Sequence, residues 1–344
     1  MTLSARISGV GRYVPERVLT NQELEAMVDT SSDWIVERTG IYERRIAADH
    51  ETTSTMGTEA ARRALASAGI EADTLDLVIT GTCTPDGLFP ATASRIQNAI
   101  GATRAGAFDV NAACMGFLSA FSAASQFIAT GTANRVLVVG AETLSRIVDW
   151  TDRGTCVLFG DGAGAVVLER AVEGEPGAVH SLRLRSDGSQ AGLLYSDGPC
   201  STVVEGLTRE AKIVMDGRAI FRQAVTMMCD SATEVLAQAG LGVEDIALVV
   251  PHQANLRIIT AMSDRLGVPA ERVYVNVQRY GNTSSATIPI ALAEAEAEGR
   301  LQPGDRVLFA SFGGGLSWGA MVIEWAGVGS RRTLAASAAR SASV

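Results

Sequence analysis

Cys114, His252 and Asn282 carry most of the chemistry this sequence can offer. Cys114 stands in Asp109-Val110-Asn111-Ala112-Ala113-Cys114-Met115-Gly116-Phe117. A short strand-like run ends, a small-residue turn follows, and an apolar helical stretch begins. That order puts the thiol near a helix N-terminus, where unpaired N–H groups and the macrodipole favour thiolate. Most free cysteines are small buried hydrophobes, and that reading serves for Cys83, Cys156, Cys200 and Cys229, which lack this context. Of the three histidines, His50 sits in a polar run and reads as a surface residue, and His180 as a structural one within a strand. His252 differs: it follows the strand-like run 246–250 at once, in Pro251-His252-Gln253-Ala254-Asn255. Residues just past strand C-termini face the ligand crevice of an α/β sheet, which makes His252 a catalytic candidate. Asn282, in Tyr280-Gly281-Asn282-Thr283-Ser284-Ser285, precedes a helical stretch. It is either an N-cap or a hydrogen-bond donor to a developing oxyanion. Phe312-Gly313-Gly314-Gly315-Leu316 follows a strand and lets backbone N–H groups approach a ligand. It is neither a dinucleotide nor a phosphate-binding glycine loop.

Positioning these residues requires two similar sets of elements. Residues 75–80, 107–110 and 135–140 read as strands, with helices over 91–100 and 115–129. The order recurs in strands at 246–250, 273–277 and 306–310, with helices over 256–266 and 284–298. Residue 79 to Cys114 spans 35 positions and residue 250 to Asn282 spans 32, so Asn282 reads as the counterpart of Cys114 in an internal duplication. The spacing predicts an α/β protein with largely parallel sheets in two βαβαβ halves. The expected division is 1–172 for the half with the cysteine, 173–215 for an irregular connecting and pocket region, 216–326 for the half with the His and Asn, and 327–344 for a poorly packed tail.

The 344 residues suit one large α/β unit or two fused halves. With 47% apolar and 19% charged residues the chain can bury a sizeable core, which excludes global disorder. A net charge of −9 argues against a general nucleic-acid binder. No apolar run reaches the roughly 18 residues of a membrane span, and the N-terminus lacks a signal-peptide pattern. Five cysteines without a C-x-x-C pair indicate neither a zinc site nor a disulfide framework, so the expected location is cytoplasmic, with reduced thiols.

Over residues 3–325 the chain resembles β-ketoacyl-acyl-carrier-protein synthase III, of the thiolase-like condensing enzymes. The resemblance rests on Ala112-Ala113-Cys114-Met115-Gly116-Phe117, Pro251-His252-Gln253-Ala254-Asn255-Leu256-Arg257 and Gly281-Asn282-Thr283-Ser284. Ser32-Asp33-Trp34-Ile35-Val36-Glu37-Arg38-Thr39-Gly40-Ile41 and Phe159-Gly160-Asp161-Gly162-Ala163-Gly164 add to it. It implies a five-layered α-β-α-β-α fold and a homodimer that condenses an acyl-CoA primer with malonyl-acyl carrier protein at the start of fatty acid synthesis. Cys114 would be the acylated nucleophile, and His252 and Asn282 would stabilise the enolate left by decarboxylation. The backbone N–H groups of Cys114 and Gly314 would form the oxyanion hole. Trp34, Arg38, Arg153, Asn255 and Arg257 would bind CoA and pantetheine. Phe159 would line the acyl pocket, and Phe89 would reach the partner subunit's acyl pocket. Arg222, Arg257 and Arg265 would dock the carrier. No metal or redox cofactor is implied; the CoA thioester is a substrate. The alternative within the family is a specialised member that loads an unusual starter or transfers an acyl group to another nucleophile. A degradative thiolase would need a second Cys in the glycine loop, and a hydroxymethylglutaryl synthase a glutamate base; none is evident beside Thr80 to Pro85 in sequence.

Overall fold

The computed structural model describes residues 4–171, 177–196 and 211–329. Cys200, residues 173–176 and 197–210 of the expected connecting region, and the tail from residue 330 lie outside them. A five-stranded sheet runs in the order Ala5–Tyr13, Asp161–Arg170, Arg135–Thr143, Leu77–Gly81, Gly106–Val110. A four-stranded sheet runs Leu248–Pro251, Arg306–Gly313, Ser317–Glu324, Ala178–Ser186. Helices Gly116–Ala129 and Thr287–Ala297 lie between the sheets; Thr53–Ala68 and Thr92–Ala99 cover one outer face, and Gly217–Ala239 and Leu256–Leu266 the other. The result is the five-layered arrangement.

Burial follows the layers. Val136 to Val139 and Val166 to Leu168 are fully buried, because both faces of their sheet are covered and alternation has no use there. The two central helices are apolar nearly all round, with Phe117, Leu118, Phe121, Ile288, Ile290 and Leu292 all buried.

The sheets are more mixed than the spacing predicts. The triple Gly106–Val110, Leu77–Gly81, Arg135–Thr143 is parallel, but Asp161–Arg170 and Ala5–Tyr13 add to it antiparallel. In the other half only Leu248–Pro251 and Arg306–Gly313 pair in parallel. The strands at 5–13, 161–170 and 317–324 escape the sequence reading because glycines break their apolar pattern. Those glycines let helices pack close: a Cβ on Gly9 would sit 2.3 Å from the carbonyl oxygen of Ala64.

The strand expected over 273–277 shrinks to a single bridge between Val249 and Val273. Beyond it the chain forms a short helix, Val277–Tyr280. Its backbone donors go elsewhere: the N–H groups of Asn276 and Val277 donate to the side chain of Gln253. The helix expected over 284–298 starts as a 3-10 turn, Ser284–Ala286, before Thr287–Ala297.

Candidate active site

The strand Gly106–Val110 feeds a turn in which Ala113 has φ +46°, and Ala113–Met115 make a 3-10 turn before the helix begins at Gly116. A left-handed non-glycine residue costs on the order of 1 kcal/mol or more, and here the surrounding packing holds it. The hydroxyl of Ser311 donates to the Cys114 carbonyl oxygen at 2.9 Å. A Cβ on Gly313 would lie 2.8 Å from the Cys114 Cβ, so glycine is what lets that strand end pass the thiol. Contrary to the helix-terminus expectation, burial outweighs the helix end and pushes the Cys114 thiol up to about 11, opposed in part by a hydrogen bond from Ser284. The resting sulfur is a protonated thiol.

His252 leaves the strand Leu248–Pro251 with its N–H donating to the Ala310 carbonyl at 2.8 Å. Its ring is buried, and Nδ1 lies 2.7 Å from the Thr287 hydroxyl, the first residue of the second central helix. Desolvation lowers its pKa to about 3, so the imidazole is neutral in the working pH range. Thr287 Oγ1 also lies 2.9 Å from the Ser284 carbonyl. One hydroxyl therefore supports either tautomer. When it donates to Ser284, Nδ1–H donates to it and Nε2 keeps a lone pair; when it donates to Nδ1, Nε2 carries the proton.

Asn282 is fastened at three points. Its N–H donates to the Leu158 carbonyl at 2.8 Å, its carbonyl accepts from Gly160 N–H at 3.1 Å, and its Oδ1 accepts the Ser284 N–H at 2.8 Å. With Oδ1 committed, the side-chain NH2 is the end left to offer. Phe159 bridges Asn282 directly, so the two halves of the chain meet at this residue.

The backbone corrects the repeat. Ser284 has φ +49°, the match of Ala113, and each residue follows an Asn whose Oδ1 faces its N–H, Asn282 at 2.8 Å and Asn111 at 3.5 Å. The counterpart of Asn282 is thus Asn111, and that of Cys114 is Ser285.

Cys114, His252, Asn282 and Gly314 all line one cavity of about 980 Å³. Phe159 lines its interior, and Trp34, Arg38, Arg222, Asn255 and Arg257 line it as well. The guanidinium groups of Arg38 and Arg153 stack on Trp34 at 4.8 and 5.2 Å. Arg153 is not itself in the wall and donates to the Asp29 carbonyl at 2.9 Å. Asn255 uses its carboxamide structurally: Oδ1 caps the helix at Arg257 N–H and Nδ2 donates to the Arg38 carbonyl.

Besides Arg153, two more expected residues stand outside the cavity. Phe89 is 85% exposed beside Leu88 on a surface loop. Arg265 pairs with Asp230 at 3.2 Å and donates to Thr226, while Arg218, absent from the expected set, is in the wall.

A second thiol and a buried carboxylate also escape the sequence reading. Cys83, set aside above for want of context, lines the same cavity. Glu142 lies fully buried behind it and accepts from the N–H groups of Cys83 and Thr84 and from the hydroxyls of Thr82, Thr84 and Ser285. A glutamate therefore does adjoin the segment 80–85, reaching it from the strand Arg135–Thr143. Burial raises its pKa, and its oxygens are saturated. A lone acid ending an apolar run, Gly140-Ala141-Glu142, was the available signal.

A duplicated five-layer α/β fold with its cavity where the halves meet is that of the thiolase-like condensing enzymes. Models for 3-oxoacyl-[acyl-carrier-protein (ACP)] synthase III match residues 108–188, and for its C-terminal part residues 236–325. The chain is 51% identical to the β-ketoacyl-[acyl-carrier-protein] synthase III of Erythrobacter litoralis, over 94% of this chain and 100% of that protein. It is 50% identical to that of Rhodobacter capsulatus over the same shares. The crystal structure of the Aquifex aeolicus enzyme superposes with a TM-score of 0.88 at 48% identity, covering 93% of this chain and 100% of that one. The chain belongs to the β-ketoacyl-acyl-carrier-protein synthase III family. Among the described residues no helix is long and apolar enough to cross a membrane, and no group of three or more His, Cys, Asp or Glu could hold a metal ion.

Proposed function

We propose that this protein condenses an acyl-CoA primer with malonyl-acyl carrier protein, releasing CO2 and CoA, as the initiating step of fatty acid synthesis. The observation that carries this is one cavity wall shared by a buried thiol, a neutral imidazole and an anchored carboxamide, in a chain about half identical to named synthases over nearly its full length. Those relatives do not favour the alternative of transfer to another nucleophile.

In the first half-reaction the Nε2 lone pair of His252 takes the Cys114 proton, sulfur attacks the primer carbonyl, and the proton passes to the departing CoA sulfur. Covalent capture suits sulfur, which attacks and leaves well. Backbone N–H groups of Cys114 and Gly314 hold the oxyanion. In the second half-reaction the malonyl C–CO2⁻ bond breaks and its electron pair enters an enolate. Nε2–H of His252 and Nδ2 of Asn282 donate to the enolate oxygen, acting where charge develops. The α-carbon attacks the acyl-cysteine, and the Cys114 sulfur departs from the tetrahedral intermediate as a thiolate and takes up a proton from solvent to restore the resting thiol. Between the two steps the ring exchanges its proton with solvent, and the Thr287 hydroxyl, turning between Ser284 and Nδ1, accommodates either tautomer.

Trp34, with Arg38 and Arg153 stacked on it, suits the adenine and phosphates of CoA. Arg218, Arg222 and Arg257 line the same cavity and suit an acidic carrier despite the −9 net charge. Exposed Phe89 and the edge strand Gly106–Val110 suit a homodimer in which each Phe89 completes the partner subunit's acyl pocket. The location that fits is cytoplasmic. The test is intact mass spectrometry after incubation with an acyl-CoA panel, followed by malonyl-carrier. A single acyl adduct that disappears with CO2 release is expected. An adduct that persists, or passes to a thiol or amine without CO2 release, overturns the assignment.

A further inference from the structure

Gln253 follows His252, is 1% exposed, and does not line the cavity. Its carboxamide nevertheless makes four hydrogen bonds, the full capacity of the group. Nε2 donates to the carbonyls of Pro251 at 2.9 Å and Tyr274 at 3.0 Å. Oε1 accepts the N–H groups of Asn276 at 3.0 Å and Val277 at 3.2 Å. The side chain thus ties the turn that carries His252 to the short helix Val277–Tyr280, which runs directly into Gly281 and Asn282.

The same segment is held from its other side. Glu294 accepts from Asn276 Nδ2 at 2.9 Å, Arg279 at 2.9 Å and the Tyr280 hydroxyl at 2.6 Å. Glu294 shares a helix with Thr287, the partner of His252 Nδ1. His252 and Asn282 are therefore linked twice, through Gln253 on one side and through Thr287 and Ser284 on the other. Among the described residues, no side chain of the first half makes such a link; only the Thr82 N–H reaches across, to the Val110 carbonyl at 3.2 Å. There the residues Gly106–Val110 spend their backbone groups on a five-residue ladder with Leu77–Gly81. In the second half that ladder is given up after one bridge, and two of the freed donors go to Gln253.

We propose that Gln253 is a positioning residue for decarboxylation, setting the separation between the imidazole of His252 and the carboxamide of Asn282. The proposal rests on the roles given to those two residues above. Two donors on one oxygen must both stand near hydrogen-bond distance, and a misplacement of about 1 Å can cost roughly 10²-fold in rate. Acyl loading on Cys114 does not need the pair at a fixed spacing, so it is spared.

The test uses the full chain and two near-isosteric variants, with acyl loading followed by intact mass and CO2 release from malonyl-carrier followed in single turnover. Gln253→Met removes all four bonds. Gln253→Glu keeps the oxygen that accepts from Asn276 and Val277 and replaces the two-donor NH2 by an oxygen with at most one proton to donate, which keeps the question answerable if Gln253→Met does not fold. Loading is expected within about 2-fold of the parent while CO2 release falls roughly 10- to 100-fold, less for Gln253→Glu. In an Asn282→Ala background, Gln253→Met is expected to lower CO2 release by no more than about 2-fold further, because what it positions is already gone. Equal losses in both half-reactions, or a full multiplicative loss in the double variant, overturn the proposal. If Asn282→Ala alone leaves CO2 release unchanged, the donor role itself fails and the proposal falls with it.

Discussion

The turn around Cys114 and the turn around Ser285 are two versions of one backbone device. Each has an Asn accepting from the residue two ahead, a left-handed non-glycine residue, a 3-10 turn and a buried central helix. They differ in what faces them. Cys114 opens on the cavity, with Gly313 passing beside it and His252 in the same wall. Ser285 is sealed: its hydroxyl lies 2.8 Å from the Gly81 carbonyl oxygen and 2.7 Å from Glu142 and shares its one proton between them. By strand register, Gly81 occupies the place of His252 and Glu142 that of Gly313. A strained turn before a helix is therefore scaffold; the facing strands decide whether it opens on the cavity or becomes a structural joint.

The sharpest way to break this comparison is Cys114→Ser, which puts the second turn's oxygen in the first turn's surroundings. Acyl loading, read by intact mass, should fall by roughly 10⁴-fold or more, because no alkoxide is available at neutral pH. Normal loading would mean the surroundings alone confer the activity. Next comes the paired substitution of the two asparagines. Asn282→Ala should slow CO2 release by roughly 10²- to 10³-fold and Asn111→Ala by no more than a few-fold. Similar losses from both would show the first Asn also serving the reaction.

His252 offers a test through stability. Its folded pKa is about 3 against 6.5 for the free group, so between those values the unfolded chain holds the extra proton. This contribution is intact above about pH 6.5 and falls on acidification by about 1.4 kcal/mol per pH unit. Denaturant titrations from pH 7 to 4 should show His252→Asn flattening that slope; an unchanged slope would mean the imidazole is already charged. The smallest effect belongs to Ser285→Ala. It removes one of several donors to Glu142 and should cost about 1–3 kcal/mol in denaturant unfolding while leaving loading unaltered. A loss of loading comparable to that of Cys114→Ser would make the second turn part of the chemistry.

The thiol, imidazole and carboxamide were legible because each sits at the join of a strand-like run and a turn or helix, where periodicity stops. The duplication was legible from element order, but its register was not. Counting positions pairs Asn282 with Cys114, whereas φ angles and Asx contacts, invisible in composition, pair it with Asn111. The strand at 273–277 was misread because its apolar alternation is real while its backbone donors are claimed by Gln253, a contact 23 and 24 positions away in sequence. Cys83 and Glu142 were passed over for a similar reason. Their meaning comes from each other, across 59 positions of chain. The thiol's state was inverted because a helix terminus is visible in sequence and desolvation is not.

The bridge between Phe159 and Asn282 has a practical side for anyone wishing to change the primer. Phe159 bounds the cavity interior, yet its neighbours Leu158 and Gly160 supply both backbone partners of Asn282. Remodelling that segment to admit longer or branched chains would shift the Asn282 amide, to which the proposed function gives the enolate oxygen. On the proposed roles, primer breadth and condensation rate are mechanically geared together at this strand, and selection for one should be visible as drift in the other.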